Sequence, residues 1–195
     1  GDNMKKEVGT FYYLLHPRPV TLICSIDEKE RPNFMACSWI TPVSEEPPMI
    51  SISLWKEGYT CQLIKQAKEF TVNIPSASLV KEVWIAGSKS GRKIDKFKLT
   101  GLKAKPAKKV KPPIIEQCIG HLECKLVNSI EAGECIVFIG EVLAAYAEEE
   151  LLAKEMWSEK AEVLLHLGGR QFTTPKASFK AELIKNKTKR VNVKR

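Results

Sequence analysis

The sequence contains no apolar run of the length that a membrane-spanning helix requires. Such a helix needs about 20 consecutive apolar residues, and no segment of the 195-residue chain approaches that length. Residues 1–6 also lack the apolar core of a signal peptide. These absences predict a cytoplasmic protein with no membrane partner.

The sequence signals of the commonest nucleotide sites are missing as well. No GxGxxG follows a candidate strand, and no GxxxxGK[ST] occurs, so neither a Rossmann site nor a P-loop is predicted. A nucleotide cofactor would therefore need another scaffold.

Cysteine and histidine do not form a metal-binding pattern. None of the six cysteines has CxxC spacing, and their apolar, strand-like or helix-like surroundings are typical of buried thiols. His121 and Cys124 are three residues apart, but alternation along a strand would turn them to opposite faces. We predict free buried thiols in a reducing compartment and no metal site.

The formal net charge of +8 comes from two short segments. One is a Pro-containing loop and the other is a C-terminal tail at about 185–195. Without them, acidic residues outnumber basic ones, and neither segment has interleaved aromatic residues, so solvated charge is favoured over a nucleic-acid site. Attraction of an anionic ligand or protein partner remains open. The residues are Lys103, Lys105, Lys108, Lys109 and Lys111, and Lys185, Lys187, Lys189, Arg190, Lys194 and Arg195.

Short β-rich segments separated by turn signals predict a mainly β fold, a barrel or sandwich with short flanking helices, as one domain over 1–195. Thr60 is the predicted N-cap of the first helix, Gly87 the end of the second, and Gly168-Gly169 a tight turn. The predicted strands are Val20–Asp27, Asn33–Trp39, Met49–Leu54, Glu69–Ile74, Gly120–Asn128 and Glu134–Ala147. The predicted helices are Thr60–Lys68, Ser78–Ala86 and Glu148–Lys160.

Three segments carry residues suited to ligand binding. The small and polar residues of Asn33–Trp39 let a flat ligand approach the backbone, and Trp39 offers an apolar surface. Ser53 and Thr60 bracket a turn where hydroxyls and helix N–H groups bind phosphate. The loop Ser88–Phe97 combines hydroxyls, a glycine and cations. Each segment also has an ordinary structural interpretation as a core strand, a capped helix or a charged loop.

Taken in order, the segments resemble the flavin reductase-like, FMN-binding split-barrel family, which includes flavoredoxins and archaeal ferric reductases. The resemblance extends over about residues 11–175. It rests on Asn33–Trp39, Pro42-Val43-Ser44, Pro47-Pro48, Ser51-Ile52-Ser53, Tyr59-Thr60, Glu69–Pro75, Ser90-Gly91, Asp95-Lys96-Phe97, His121–Cys124, Gly140-Glu141-Val142 and His166–Gly169.

The resemblance implies a Greek-key-like split barrel that binds FMN near the interface of a homodimer. It implies that Ser53 and Thr60 help to hold the phosphate, and that His121 lies where a nicotinamide or other electron donor docks. A structural role for His121 is an equal alternative, and Cys37 is expected to contact flavin through its backbone. The implied cofactor-binding residues are Asn33, Met35, Ala36, Cys37, Ser38, Trp39, Ser53, Thr60, Ser90, Gly91, Lys96 and Phe172.

The function implied is reduction of flavin, ferric chelates or an acceptor protein by NADH or NADPH through bound FMN. Flavin supplies its own reactivity, so no acid–base or nucleophile triad is needed. The alternative is an electron carrier of the flavoredoxin type that exchanges electrons with redox partner proteins. A nucleic-acid-binding barrel is a third, remote alternative.

Overall fold

The computed structural model describes residues 4–176, 178 and 181, and its dominant element is one seven-stranded antiparallel sheet. The predicted basic tail at about 185–195 lies outside these residues. The strands are β1 Arg18–Pro19, β2 Thr21–Ile26, β3 Pro32–Cys37, β4 Ile40–Ser44, β5 Met49–Trp55, β6 Glu69–Ile74, β7 Ala104–Lys105, β8 Ile114–Ile115, β9 Gly120–Ala132, β10 Cys135–Ala147, β11 Leu152–Ala153, β12 Met156–Trp157, β13 Leu165–Gly168 and β14 Gln171–Thr173. The α-helices are α1 Tyr59–Ala67, α2 Val80–Ser88 and α3 Lys96–Thr100, with 3-10 turns at Phe11–Leu15, Ala77–Leu79, Glu149–Leu151 and Glu159–Ala161.

The main sheet has the strand order β3-β2-β6-β9-β10-β5-β4. Its two edge strands are consecutive in sequence, so the chain passes from one edge to the other at Ser38 and Trp39. The backbone N–H of Ser53 in β5 donates to Trp39 O over 2.9 Å at this crossing. The prediction of a mainly β fold with short flanking helices is confirmed.

One core cluster packs Cys61 and Ile64 of α1 against the main sheet, and a second packs Val83 and Ala86 of α2 against Leu22 and Phe34. In β5 the residues alternate between buried and half-buried, as the sequence pattern predicted, while all six residues of β2 are buried. Gly140 in β10 makes room for Phe70, because a Cβ at Gly140 would lie 2.7 Å from Phe70 Cζ. All six cysteines are free, as predicted, and five of them are buried, whereas Cys135 is half-buried.

Helix boundaries differ from the predictions at two residues. The N-cap of α1 is Gly58 rather than Thr60, and the Thr60 side chain instead accepts a hydrogen bond from Asn33 Nδ2. Gly87 lies inside α2 rather than ending it. A Cβ at Gly87 would lie 3.5 Å from Ala36 Cβ, so the absence of a side chain lets α2 lie against β3.

The predicted helix over Glu148–Lys160 is wrong. This segment forms two 3-10 turns and the two-stranded ribbon β11–β12. Trp157 explains the difference, because its ring lies over Gly120, where a Cβ would be 2.9 Å from the indole. A tertiary contact of this kind overrides a local helical charge pattern.

A small second sheet, in the order β1-β13-β14, closes one side of the molecule. Its hairpin turns at Gly168 and Gly169, which have φ values of +119° and +53°, so the predicted tight turn is confirmed. Within the part of the chain that the structure describes, no helix is long and apolar enough to cross a membrane.

Candidate functional site

Three cavities lie along edge strand β3 and the residues that follow it. Most of the residues that the sequence assigned to a ligand site line one of these cavities. We name them the Asn33 cavity, the Phe172 cavity and the Trp39 cavity. The first two lie toward opposite ends of β3, and the third lies beyond its C-terminal end, under the N-terminal 3-10 turn.

The Asn33 cavity has a volume of 460 Å³ and lies between β3, the start of α1 and the loop before α3. Asn33 Nδ2 donates to Thr60 Oγ1 over 2.8 Å, so the amide and the hydroxyl are fixed together. Gly91 packs directly over this pair, because a Cβ there would lie 1.9 Å from Asn33 Oδ1. Ser90 shapes the same turn by accepting from Arg92 N at 3.3 Å. The structure therefore brings together Asn33, Thr60 and the Ser90-Gly91 turn, all of which the resemblance assigned to FMN binding.

The Asn33 cavity is lined by more cationic than anionic side chains, and both of its carboxylates are already bonded within the protein. Asp27 is bound to Arg31 and holds its backbone, which lowers the pKa of that carboxyl. Asp95 accepts from Lys98 N at 3.0 Å and so caps α3. Arg92 stacks over Tyr59, with its guanidinium carbon 5.5 Å from the ring centroid. The N-terminus of α1, with its unpaired N–H groups, adds a favourable potential for an anion.

Lys96 lines this cavity, but its ammonium group is used inside the protein. Lys96 Nζ donates to Phe34 O and to Ala86 O, both over 2.8 Å, and the residue is 5% exposed. Burial lowers the pKa of Lys96 to about 8. Its charged end therefore joins β3 to α2, and its approach to flavin stays a prediction.

The Phe172 cavity has a volume of 270 Å³ and is mostly apolar. One wall is formed by Ala36, Cys37 and Ser38, three residues that the resemblance assigned to flavin binding. The opposite walls come from α2 and from the β13–β14 turn, and they include Val83, Trp84, His166, Gly169 and Phe172. Such a slot suits a flat aromatic ring.

Strand β3 offers free backbone groups to this slot. It pairs only with β2, and an edge strand leaves alternate N–H and C=O groups unpaired. Phe34 O and Ser38 O both point away from β2, since they accept from Lys96 Nζ and Arg18 Nε. By alternation, the N–H and C=O of Ala36 lie on the same free edge. Heteroatoms at a ring edge could bond there.

Two residues of the predicted strand do not present reactive side chains. Met35 packs against the main core and lines none of the three cavities. Cys37 is 5% exposed, and burial raises the pKa of its thiol to about 12. A thiol with so high a pKa is not a nucleophile at neutral pH, which leaves Cys37 its backbone as the contacting group.

The Trp39 cavity, of 260 Å³, contains Trp39 and Ser53. Ser53 lines this cavity and not the Asn33 cavity, and its predicted role with Thr60 in holding a phosphate stays a prediction. Thr60 is bonded to Asn33 near the start of β3, whereas Ser53 is bonded to the backbone of Trp39, which lies beyond the end of β3. The spacing of the hydroxyls in the sequence could not reveal that the turn between them places them at different cavities.

His121 lies away from all three cavities. Its Nδ1 is 2.8 Å from Asn73 Oδ1, it packs on Tyr146, and it is 8% exposed. Burial lowers the pKa of His121 to about 4, so the imidazole is neutral at pH 7. Because Asn73 Oδ1 accepts from it, Nδ1 carries the proton. These contacts favour the structural alternative for His121, and its position on the electron-donor side stays a prediction.

A buried carboxylate near His121 was missed at the level of sequence. Glu123 is completely buried and accepts from Lys108 N at 2.9 Å, Lys109 N at 2.5 Å and Tyr146 Oη at 2.8 Å. Burial alone would raise the pKa of Glu123, but these donors and the N–H of Val110 outweigh it and hold the pKa below its usual value. The one sequence signal for this role was an acidic residue at a strand position that faces inward. Glu123 anchors the predicted basic loop through the loop's backbone N–H groups.

Other residues of the cavities, Arg18 and Trp84 among them, were missed, while Tyr59, Arg92 and His166 lie in segments that the sequence analysis named but were not assigned to the site. Each reaches its cavity from an element that is remote from β3 in sequence. Their positions depend on tertiary packing, which short motifs do not encode.

The chain is similar to known proteins both in sequence and in structure. Residues 13–174 match the family model described as "Flavin reductase like domain". The structure of a flavoredoxin of Desulfovibrio vulgaris is 31% identical with a TM-score of 0.82, covering 94% of this chain and 99% of that one. A flavoredoxin from Methanosarcina acetivorans is 30% identical with a TM-score of 0.81, covering 96% and 98%. An FMN-binding protein from Thermus thermophilus is 25% identical with a TM-score of 0.78, covering 93% and 99%. These similarities confirm the predicted split-barrel fold.

Proposed function

The chain belongs to the flavin reductase-like domain family, and we propose on this premise that it is an FMN-binding oxidoreductase. NADH or NADPH is the proposed electron donor, and flavin, a ferric chelate or a protein is the proposed acceptor. One observation carries the proposal most strongly: edge strand β3 connects a polar, cationic cavity at one end with an apolar slot at the other. A mononucleotide with a flat ring has this same polarity.

The residues present fit FMN. The Thr60 hydroxyl, Arg92 and the first N–H groups of α1 would hold the phosphate, with Asn33 fixing the position of Thr60. Residues 33–38 of the strand span about 17 Å and would run beside the ribityl chain. Trp84 and Phe172 would enclose the ring, and the free backbone groups of Ala36 would bond its edge.

When bound, the flavin supplies the redox chemistry, accepting a hydride and releasing electrons singly or in pairs. The chain's own residues bind it, orient it and exclude water from one side of it. No acid, base or nucleophile of the protein is required, which agrees with the neutral thiol of Cys37 and the buried position of His121.

A carrier function of the flavoredoxin type is the second candidate. The observation that favours it is the loop of residues 103–113, whose backbone is fastened to Glu123 while several lysines project from it. A fixed basic surface would suit an acidic redox partner. In this case FMN would remain bound, and electrons would pass between proteins.

A homodimer with flavin near its interface is part of the proposal. The hairpin of β9 and β10, with its neighbour β5, exposes Val127 at 48%, Ile130 at 52% and Trp55 at 59%. Ile130 lies opposite Val137, and Trp55 lies opposite Cys135, so these apolar side chains share one region of the sheet. Light scattering during size-exclusion chromatography, with and without FMN, tests the dimer.

The test of the proposed function begins with the absorbance of the purified protein and a titration with FMN. Quenching of flavin fluorescence with one FMN bound per chain is the expected result. A protein that is colourless and takes up no FMN would rule out both the reductase and the carrier function. Anaerobic addition of NADH and of NADPH then separates them: rapid bleaching with turnover supports the reductase, and bleaching only by a reduced partner protein supports the carrier.

A further inference from the structure

The Trp39 cavity differs in chemistry from the other two. Its walls are largely apolar and aromatic, and no acidic residue lines it. Its polar groups are the hydroxyls of Thr41, Ser51 and Ser53 and the guanidinium of Arg18. The apolar lining residues are Phe11, Tyr12, Leu15, Trp39, Ile40 and Val137.

Arg18 is the charged group of this cavity, and its bonding is incomplete. Its Nε donates to Ser38 O over 3.1 Å, which fixes the guanidinium plane beside β3. Within residues 4–176, neither of its two terminal nitrogens has a hydrogen-bond or ion-pair partner. A half-buried guanidinium with free donors is matched best by a planar carboxylate, which can accept two parallel hydrogen bonds.

The aromatic side chains define the rest of the ligand. Tyr12 meets Trp39 edge to face, with 5.5 Å between ring centroids, so a conjugated body inserted here would contact ring faces and edges. Trp39 and Phe11 are 37% and 68% exposed, so the opening presents apolar surface to a ligand. At 260 Å³ the cavity is near the lower end of small-molecule sites.

The cavity also lies close to the proposed flavin. Arg18 is bonded to the backbone of Ser38, and Ser38 lines the Phe172 cavity. We propose that the Trp39 cavity binds a small aromatic or unsaturated carboxylate, with Arg18 holding the carboxylate. That this ligand is a reaction partner of the flavin rests on the proposed function, whereas its binding does not.

The experiment uses trans-cinnamate as the probe and the neutral trans-cinnamamide as its matched control. Calorimetric titrations are made on the full chain, both without FMN and with FMN in excess. Cinnamate should bind at least about tenfold more tightly than cinnamamide, as expected for a charge-assisted pair. Arg18→Gln should abolish that preference, Arg18→Lys should keep part of it, and Lys65→Gln on the exposed side of α1 should change nothing.

Equal affinities for cinnamate and cinnamamide in the unaltered protein, or cinnamate binding that survives Arg18→Gln, would overturn the inference. The ligand comparison in the unaltered protein does not depend on a variant, so it stands even where Arg18→Gln fails to fold. A second copy of the chain is the other possible occupant. If Phe11→Ser converts a dimer to a monomer and neither form binds cinnamate, the cavity is an interface and the proposal is wrong.

Separate readouts distinguish this proposal from the flavin function. FMN binding is followed by flavin fluorescence and cinnamate binding by heat. FMN binding without cinnamate binding refutes the carboxylate site alone. Arg18-dependent cinnamate binding in a protein that takes up no FMN refutes the flavin function alone.

Discussion

Asn33 and Thr60 form a buried pair in which the amide Nδ2 of Asn33 donates to Oγ1 of Thr60 over 2.8 Å. The bond joins edge strand β3 to the first turn of α1. Because the Thr60 hydroxyl accepts here, its own proton is free to be donated to a ligand. The pair therefore fixes the position of the Thr60 hydroxyl, which is the donor that we propose for the FMN phosphate.

Replacing Thr60 by valine should weaken FMN binding about tenfold and riboflavin binding much less. Valine keeps the shape of threonine but removes the hydroxyl, and riboflavin lacks the phosphate that the hydroxyl would contact. The variant also leaves the buried Asn33 amide without its acceptor, which should lower the free energy of unfolding by about 1–3 kcal/mol. Fluorescence titrations with both flavins and urea unfolding measure the two effects.

Thr10→Val, in the segment before the first 3-10 turn, is the matched control and should change neither quantity. An equal loss of affinity for FMN and riboflavin in Thr60→Val would contradict the assignment of this cavity to the phosphate.

Replacing Gly91 by alanine should lower FMN affinity by about tenfold or more with the fold retained. The added methyl group would lie 1.9 Å from Asn33 Oδ1 and 3.1 Å from Tyr59 Cδ1, so the loop or the Asn33 side chain must move. Gly9→Ala, where nothing lies within 4 Å of the added Cβ, is the control. Unchanged FMN affinity in Gly91→Ala would show that this loop does not shape the flavin site.

Lys96 should make the free energy of unfolding increase as the pH rises from about 8 toward 10.5. Burial lowers the pKa of Lys96 from 10.5 to about 8 in the folded protein, so in this window the unfolded chain binds the proton that the folded chain has released. Stability then rises with pH, by at most about 1.4 kcal/mol per pH unit. Chemical unfolding at pH 7.5, 8.5 and 9.5 measures this.

Lys96→Met should be less stable at every pH, because Phe34 O and Ala86 O lose their donor. The informative quantity is the difference between the two slopes, since other groups titrate in both proteins. Parallel slopes would show that the pKa of Lys96 is not lowered.

His121→Gln should leave the rate of flavin reduction by NADH or NADPH within about twofold. The imidazole is buried, bonded to Asn73 and remote from the three cavities. Its lowered pKa, about 4, means that the folded protein binds one proton fewer than the unfolded chain between pH 4 and 6.5. The free energy of unfolding should therefore decrease as the pH is lowered from 6.5 to 4, and His121→Gln should remove that part of the pH dependence. A tenfold loss of rate at full FMN occupancy would restore the catalytic assignment.

The six longest β-strands were predictable because their signals are local. Alternation marks Met49–Leu54, and Pro75 follows directly after Glu69–Ile74, so the pattern and the observed strands agree closely. The segment around Trp157 was not predictable in this way. Its charges repeat at helical spacing, and only the distant Gly120 provides the surface on which its indole rests.

The candidate site likewise contains features that were predictable from the sequence and features that were not. Among the residues that the resemblance assigned to FMN, Gly91 packs on Asn33, and Ala36, Cys37 and Ser38 share a cavity with Phe172. The resemblance could not determine how individual side chains are used. Lys96 is bound to two carbonyls, and His121 is turned toward Asn73 because the strand's alternation points it inward.

Glu123 fastens the loop of residues 103–113 through the backbone N–H groups of Lys108 and Lys109 rather than through their side chains. Every residue other than proline supplies the same N–H group. The side chains at 108 and 109 can therefore be exchanged for neutral or acidic ones while the anchor is retained. The surface potential beside Tyr146 is thus open to redesign, or to divergence among relatives, independently of the loop's attachment.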